Sequence, residues 1–300
     1  MKAPLILLLC YFLDIQLPAQ EKYELTVARD GSGDYTTIQA AVDACKAFPD
    51  SRVTVFIRNG IYHEKVLIPA CNTKLSLIGE SREKTVISYN DYFDKVARGR
   101  NSTFYTYTLM VEADDFCAAN LTIENTAGPV GQAVALHVSG NRCAIRNCNI
   151  LGNQDTLYAT GENSRQYFTG CLIEGTTDFI FGSATGVFDK CTIRSKADSY
   201  ITAASTTEGK NWGFVFIDCK LIAAEGVEKV YLGRPWRDFA KVAFIRCDMG
   251  EHILPQGWSN WAGTARERTA FFAEYNNTGA GYAPEKRVRW SHQLSPEEVE

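Results

Sequence analysis

Histidine is scarce in this sequence. Only four occur among 300 residues (His63, His137, His252 and His292), and they are scattered. No His/Cys cluster with metal-ligand spacing appears, and no metal or cofactor is expected. Excess basic charge is also missing. Thirty-one Lys and Arg face 35 Asp and Glu, for a formal net charge of −4. Such a chain is ill suited to tracking nucleic-acid phosphates. No apolar run is long enough for a membrane span. The Gly-x-Ser-x-Gly elbow of serine hydrolases does not occur. After residue 48 helical periodicity nearly vanishes, which argues against alternating βαβ units.

What is present begins with a composition of 45% hydrophobic and 22% charged residues, which excludes a disordered chain. Lys2, the apolar run Pro4–Leu13 and Leu17-Pro-Ala19 read as a signal peptide over residues 1–20. One domain over 21–300 follows, and a secreted or periplasmic location is expected. Ten cysteines fit neither a disulfide scaffold nor an ordinary reducing-compartment enzyme. Losing Cys10 with the signal leaves nine, so at least one thiol stays free.

One helix is clear. Ile38, Ala41, Val42, Cys45 and Phe48 fall at helical spacing. Short β-branched runs follow at 53–57, 75–78 and 85–87. From residue 120 a repeat emerges, aligning Asn120-Leu-Thr-Ile with segments that begin at Cys148, Cys171, Cys191, Cys219 and Cys247. The spacings are 28, 23, 20, 28 and 28 residues. Short strands repeating at this period, without intervening helices, predict an all-β right-handed parallel β-helix. The early helix would cap its open N-terminal end. The five cysteines would then stack as an internal ladder of small buried residues. Neighbouring rungs are close enough that one pair could be oxidised.

The ladder also serves as a ruler. Asp155 lies seven residues after Cys148, and Asp178 lies seven after Cys171. Equal offsets place the two carboxylates about 4.8 Å apart on successive coils. Two acids that close cannot both ionise freely, which suits acid–base or nucleophilic work. Asp198 lies seven after Cys191, but across a shorter coil whose register is less secure. Gln154, Phe179-Ile-Phe181 and Tyr231-Leu-Gly-Arg-Pro-Trp236 supply an amide, an arginine and aromatics. Together they suggest a carbohydrate site.

At these residues the chain resembles the pectin methylesterases, also called pectinesterases. The resemblance runs from Asp30-Gly-Ser-Gly-Asp-Tyr-Thr-Thr-Ile38 and Gly60-Ile-Tyr-His-Glu64 through Gly131-Gln-Ala-Val-Ala-Leu136. It continues in Gly152-Asn-Gln-Asp-Thr-Leu-Tyr158, Gly175-Thr-Thr-Asp-Phe-Ile-Phe-Gly182 and Leu232-Gly-Arg-Pro-Trp236. It implies the same β-helix and an enzyme that demethylates pectin as a monomer. Asp178 would be the nucleophile and Asp155 the general acid/base. Gln132 and Gln154 would be oxyanion-stabilising amides, and Arg234 would orient the nucleophile. Tyr158, Phe181 and Trp236 would line the substrate groove. Cys171 and Cys191 match a disulfide found in bacterial members. Glu64 reads as structural.

Rival readings are a β-helix glycosidase, whose retaining mechanism also wants carboxylates about 5 Å apart, and a non-catalytic polysaccharide-binding β-helix. A calcium-dependent pectate lyase would want a carboxylate cluster that the sequence does not offer near these motifs.

Overall fold

The computed structural model describes residues 24–299. The signal-peptide reading falls outside the described residues. Among those described, three parallel sheets of 11, 8 and 7 strands run side by side. Each complete coil lays one strand in each sheet in turn, and the terminal coils contribute strands to fewer sheets. One coil comprises Cys143–Arg146, Asn149–Leu151 and Leu157–Ala159. The next comprises Arg165–Thr169, Leu172–Gly175 and Ile180–Gly182. Every strand pair is parallel and joins successive coils, which makes a right-handed parallel β-helix.

The interior explains the sequence. Alternate residues of each strand point inward, so like side chains stack on like. Phe168, Phe188, Phe216 and Phe244 form one column, with successive ring centroids 4.8, 4.4 and 4.3 Å apart. Ile123, Ile150, Ile173 and Ile193 form another, and all four are fully buried. At offset-stacking distances the aromatic column adds to the burial of its own area.

The cysteine ladder is real: strand pairing puts Cys148, Cys171, Cys191, Cys219 and Cys247 on successive rungs, all buried. Its first rung differs from the expectation. Thr122 pairs with Asn149, so Leu121, not Asn120, lies beneath Cys148. Asn120 instead occupies the corner before the column, with φ +56. Asn147 and Asp218 take the same left-handed corner on later coils, a conformation their short polar side chains tolerate.

The expected bridge between Cys171 and Cys191 is absent; both are free thiols. Above Cys148, whose sulfur donates to Arg146 O of its own coil at 3.2 Å, each ladder sulfur turns to a main-chain carbonyl of the coil beneath it. Cys171 Sγ donates to Ile145 O at 3.5 Å, Cys191 Sγ to Phe168 O at 3.5 Å and Cys219 Sγ to Phe188 O at 3.2 Å. A bridge would require two of these thiols to abandon that shared orientation.

The predicted capping helix is present but shorter, Ile38–Asp43. Ile38, Ala41 and Val42 are buried over the first coil, whereas Phe48 lies beyond the helix and is 70% exposed. Thr37 caps the helix by accepting from Ala40 N. Glu64 accepts from the main-chain N–H groups of Ile38 and Gln39 at 2.9 and 3.0 Å, satisfying two more helix-end donors. Its role is therefore structural, as its motif suggests.

Candidate active site

The seven-stranded sheet carries a cleft of about 340 Å³ on its outer side. Asp155 and Asp178 stand just before the strands Leu157–Ala159 and Ile180–Gly182. Leu157 pairs with Ile180, so the aspartates are one rung apart, about 4.8 Å along the axis. Both have left-handed backbones, with φ +64 and +50. Asp155 N donates to Thr177 O at 3.1 Å, and Asp178 N donates to Tyr200 O at 2.8 Å. These bonds hold the turns in register. Asp198 does not join them. Ile180 pairs with Thr202, so the next rung above Asp178 is Tyr200. Asp198 is exposed and accepts from Glu228 N and Lys229 N.

Arg234 follows the strand Tyr231–Gly233 and reaches back to Asp178. Its Nε donates to Oδ1 at 3.0 Å and its Nη2 to Oδ2 at 2.7 Å, a bidentate pair. The guanidinium is held between two rings, 4.1 Å from the Tyr200 centroid and 4.2 Å from that of Trp261. Tyr231 stacks behind Tyr200 at 5.4 Å. Tyr200 and Trp261 were not singled out from the sequence. Tyr200 could have been found by continuing the register one coil further. Trp261 lies in a loop with no repeat to mark it.

Burial raises both carboxyls above their ordinary range, but unequally. At Asp178 the hydrogen bonds and charge of Arg234 oppose burial. At Asp155 burial and then the charge of Asp178 push the same way, well above the usual carboxylate value. The geometry favours a proton on Asp155 and a negative charge on Asp178.

Gln132 and Gln154 are bridged main chain to main chain and line the cleft beside the acids. Neither carboxamide has a hydrogen-bond partner among the described residues, which leaves their N–H groups available to a ligand. Tyr158 and Phe181 stack at 4.5 Å, and Trp236 meets Phe181 edge-on at 5.8 Å. His137, 6% exposed, lies under Tyr158 at 4.6 Å, and Phe104 packs on the same ring at 5.1 Å. All eight residues singled out for catalysis or binding therefore meet on one face.

A parallel β-helix with a buried carboxylate pair, free amides and an aromatic floor defines a class of groove-bearing carbohydrate-active protein. A family profile described as Pectinesterase matches residues 24–299. The chain belongs to the pectinesterase family. It is 38% identical over 281 residues to Pectinesterase 31 of Arabidopsis thaliana, covering 91% of this chain and 88% of that one. A pectin methylesterase from carrot superimposes with a TM-score of 0.86 at 32% identity, covering 92% of this chain and 89% of the other. A pectin methylesterase solved in complex with a hexasaccharide gives a TM-score of 0.81 at 27% identity, covering 93% and 95%.

Proposed function

We propose that the chain hydrolyses the methyl esters of pectin, releasing methanol and leaving free galacturonate, through an acyl-enzyme on Asp178. The observation that carries this reading is the asymmetric acid pair, one carboxylate held by Arg234 and its neighbour not. Family membership and the hexasaccharide-bound relative support the substrate class. A secreted or periplasmic site of action suits a polymer too large to enter a cell.

The Asp178 carboxylate attacks the ester carbonyl. Both its oxygens accept from Arg234, yet each retains a lone pair for attack. The carbonyl oxygen becomes an oxyanion, and the Gln132 and Gln154 amides donate to it where the charge develops. Protonated Asp155 gives its proton to the departing methoxide. The product is an anhydride between Asp178 and the sugar carboxyl. Asp155, now ionised, takes a proton from water as that water opens the anhydride. Tyr200 and Trp261 keep Arg234 in place throughout. A carboxylate nucleophile and amide donors complete this sequence without a metal.

Methanol release from highly methylated pectin, assayed with EDTA alongside polymer length, tests the proposal. Methanol at constant chain length supports it. Chain shortening without methanol would favour the glycosidase, and binding without turnover the non-catalytic protein.

A further inference from the structure

The turn between the strands Asn149–Leu151 and Leu157–Ala159 carries the Gln154 amide and the Asp155 carboxyl into the cleft. Its own bonds make it compact. The Thr156 hydroxyl lies 3.0 Å from both Asn153 O and Glu174 O and donates between them. Thr176 N donates to Asn153 O at 3.0 Å. Gly152 opens the turn, and no larger residue fits there, because a Cβ would lie 2.7 Å from Thr156 Oγ1.

One cation holds this turn from outside the cleft. Lys196 Nζ donates to Gly152 O at 2.9 Å. Lys196 follows the strand Thr192–Ser195, which lies two rungs beyond Asn149–Leu151, roughly 10 Å along the axis. Between them is the coil of Glu174. The Glu174 carboxylate meets Lys196 Nζ at 3.4 Å through Oε1 and Arg194 Nη1 at 3.0 Å through Oε2. Lys196 N also donates to Gly175 O at 2.8 Å.

Three coils therefore converge on one ammonium group. The coil of Gly152 bears Asp155, the coil of Glu174 bears Asp178, and the coil of Lys196 bears Tyr200 against Arg234. Coil-to-coil pairing occurs elsewhere without any link to the cleft. Arg246 and Asp218 pair at 2.8 Å on adjacent coils, and neither lines the site.

We propose that Lys196 is a positioning residue, which by holding Gly152 O fixes the height of the Gln154–Asp155 turn against Asp178. This rests on the esterase reading above. The spacing of the two carboxyls governs the reach of Asp155 to the departing methoxide. It also governs the repulsion that keeps Asp155 protonated beside a charged Asp178. Lys196 does not line the cleft, where the charged groups beside Asp155 are Asp178, Arg234 and Arg100. Its influence on the acid passes through the turn.

The test compares wild type with Lys196→Met, which keeps the stem and loses the donor, and with Lys196→Arg, which keeps a donor and the charge. Arg246→Gln serves as the control for loss of a coil-to-coil pair. Methanol release from methylated pectin is followed against pH and substrate concentration. Hydrogen exchange of the Asp155 amide, bonded to Thr177 O at 3.1 Å, is measured separately. Lys196→Met should lose about three- to thirtyfold in kcat, with KM changed by less than about twofold. As its turn relaxes from Asp178, repulsion and burial both ease and Asp155 gives up its proton more readily. The basic limb of the pH–rate profile should therefore move to lower pH. The Asp155 amide should exchange about fivefold faster or more. Lys196→Arg should recover rate, limb and exchange, and Arg246→Gln should keep all three. Wild-type kcat, an unmoved basic limb and unchanged Asp155 exchange in Lys196→Met overturn this inference alone. So does a loss of rate that merely follows the folded fraction with the limb unmoved. No methanol from wild type overturns the esterase reading, and the Asp155 exchange in Lys196→Met then decides the positioning role by itself.

Discussion

Two of the bidentate arginine–carboxylate pairs among the described residues share their geometry and differ in their surroundings. Arg287 donates to Glu274 at 2.7 and 3.1 Å near the C-terminal end, with side chains 2% and 0% exposed. Arg234 donates to Asp178 at 3.0 and 2.7 Å in the cleft, with side chains 21% and 9% exposed. The first pair is saturated. Arg287 also donates to the carbonyls of Leu254, Pro255 and Gly281, and Glu274 also accepts from Trp258 and Asn277. Nothing is left to react. In the second, the Asp178 oxygens accept from Arg234 alone among the described residues, and the arginine is held by ring faces rather than by further hydrogen bonds. A charge held on one side and open on the other is available for chemistry. What surrounds each pair separates a rivet from the nucleophile proposed for Asp178.

Asp178→Asn breaks the comparison most severely. Methanol release should fall by about 10³-fold or more, while circular dichroism keeps its β signature. Glu274→Gln should do the reverse. It strands a buried guanidinium and should cost about 3–5 kcal/mol of stability, read by denaturant melts. Its turnover per folded molecule should stay normal.

A buried ionisable group with no counter-charge gives the opposite extreme. Burial lowers the His137 pKa to about 4. Its unfolded value is near 6.5. Above both values neither state is protonated and nothing is lost. As pH falls through 6.5 the unfolded chain takes a proton that the folded chain refuses. Stability should therefore drop between pH 6.5 and 4, by up to about 3 kcal/mol, and level off below. His137→Gln should flatten that part of a melting-temperature series. An unchanged slope would show that His137 does not carry it.

The smallest effect sharpens the role of the ring clamp. Tyr200→Leu removes one face from Arg234, worth roughly 0.5–2 kcal/mol. The variant should lose about tenfold in kcat. Because a looser Arg234 lowers the Asp178 pKa less, the acid limb of its pH–rate profile should move to higher pH. Tyr200→Phe should restore both. A uniform loss with no shift of the limb would reduce Tyr200 to packing.

Much of this was legible because a β-helix repeats its geometry. Cys148 and Cys171 are equivalent rungs, so their common offset located Asp155 and Asp178 without any structure. The same ruler failed where coil length changed. Asp198 kept the count of seven but not the rung, because strand pairing there runs at 22 residues from Ile180 to Thr202 while the cysteines are 20 apart. Asn120 misled because corner residues and wall residues alternate, and an asparagine fits the left-handed corner better than the wall. Phe48 kept helical spacing beyond the point where the helix ends. The bridge implied for Cys171 and Cys191 came from resemblance, not from the ladder, which here holds thiols. Trp261 acts across space from outside the repeat, and no spacing rule reaches it.

The most direct test of the central claim is to quench turnover of a methyl-esterified galacturonate oligomer with acid and map the peptides by mass. An oligomer adduct on Asp178, cleaved by hydroxylamine and missing from Asp178→Asn, is the predicted result. Undiminished methanol release by Asp178→Asn, with no adduct on the wild-type peptide, would contradict it.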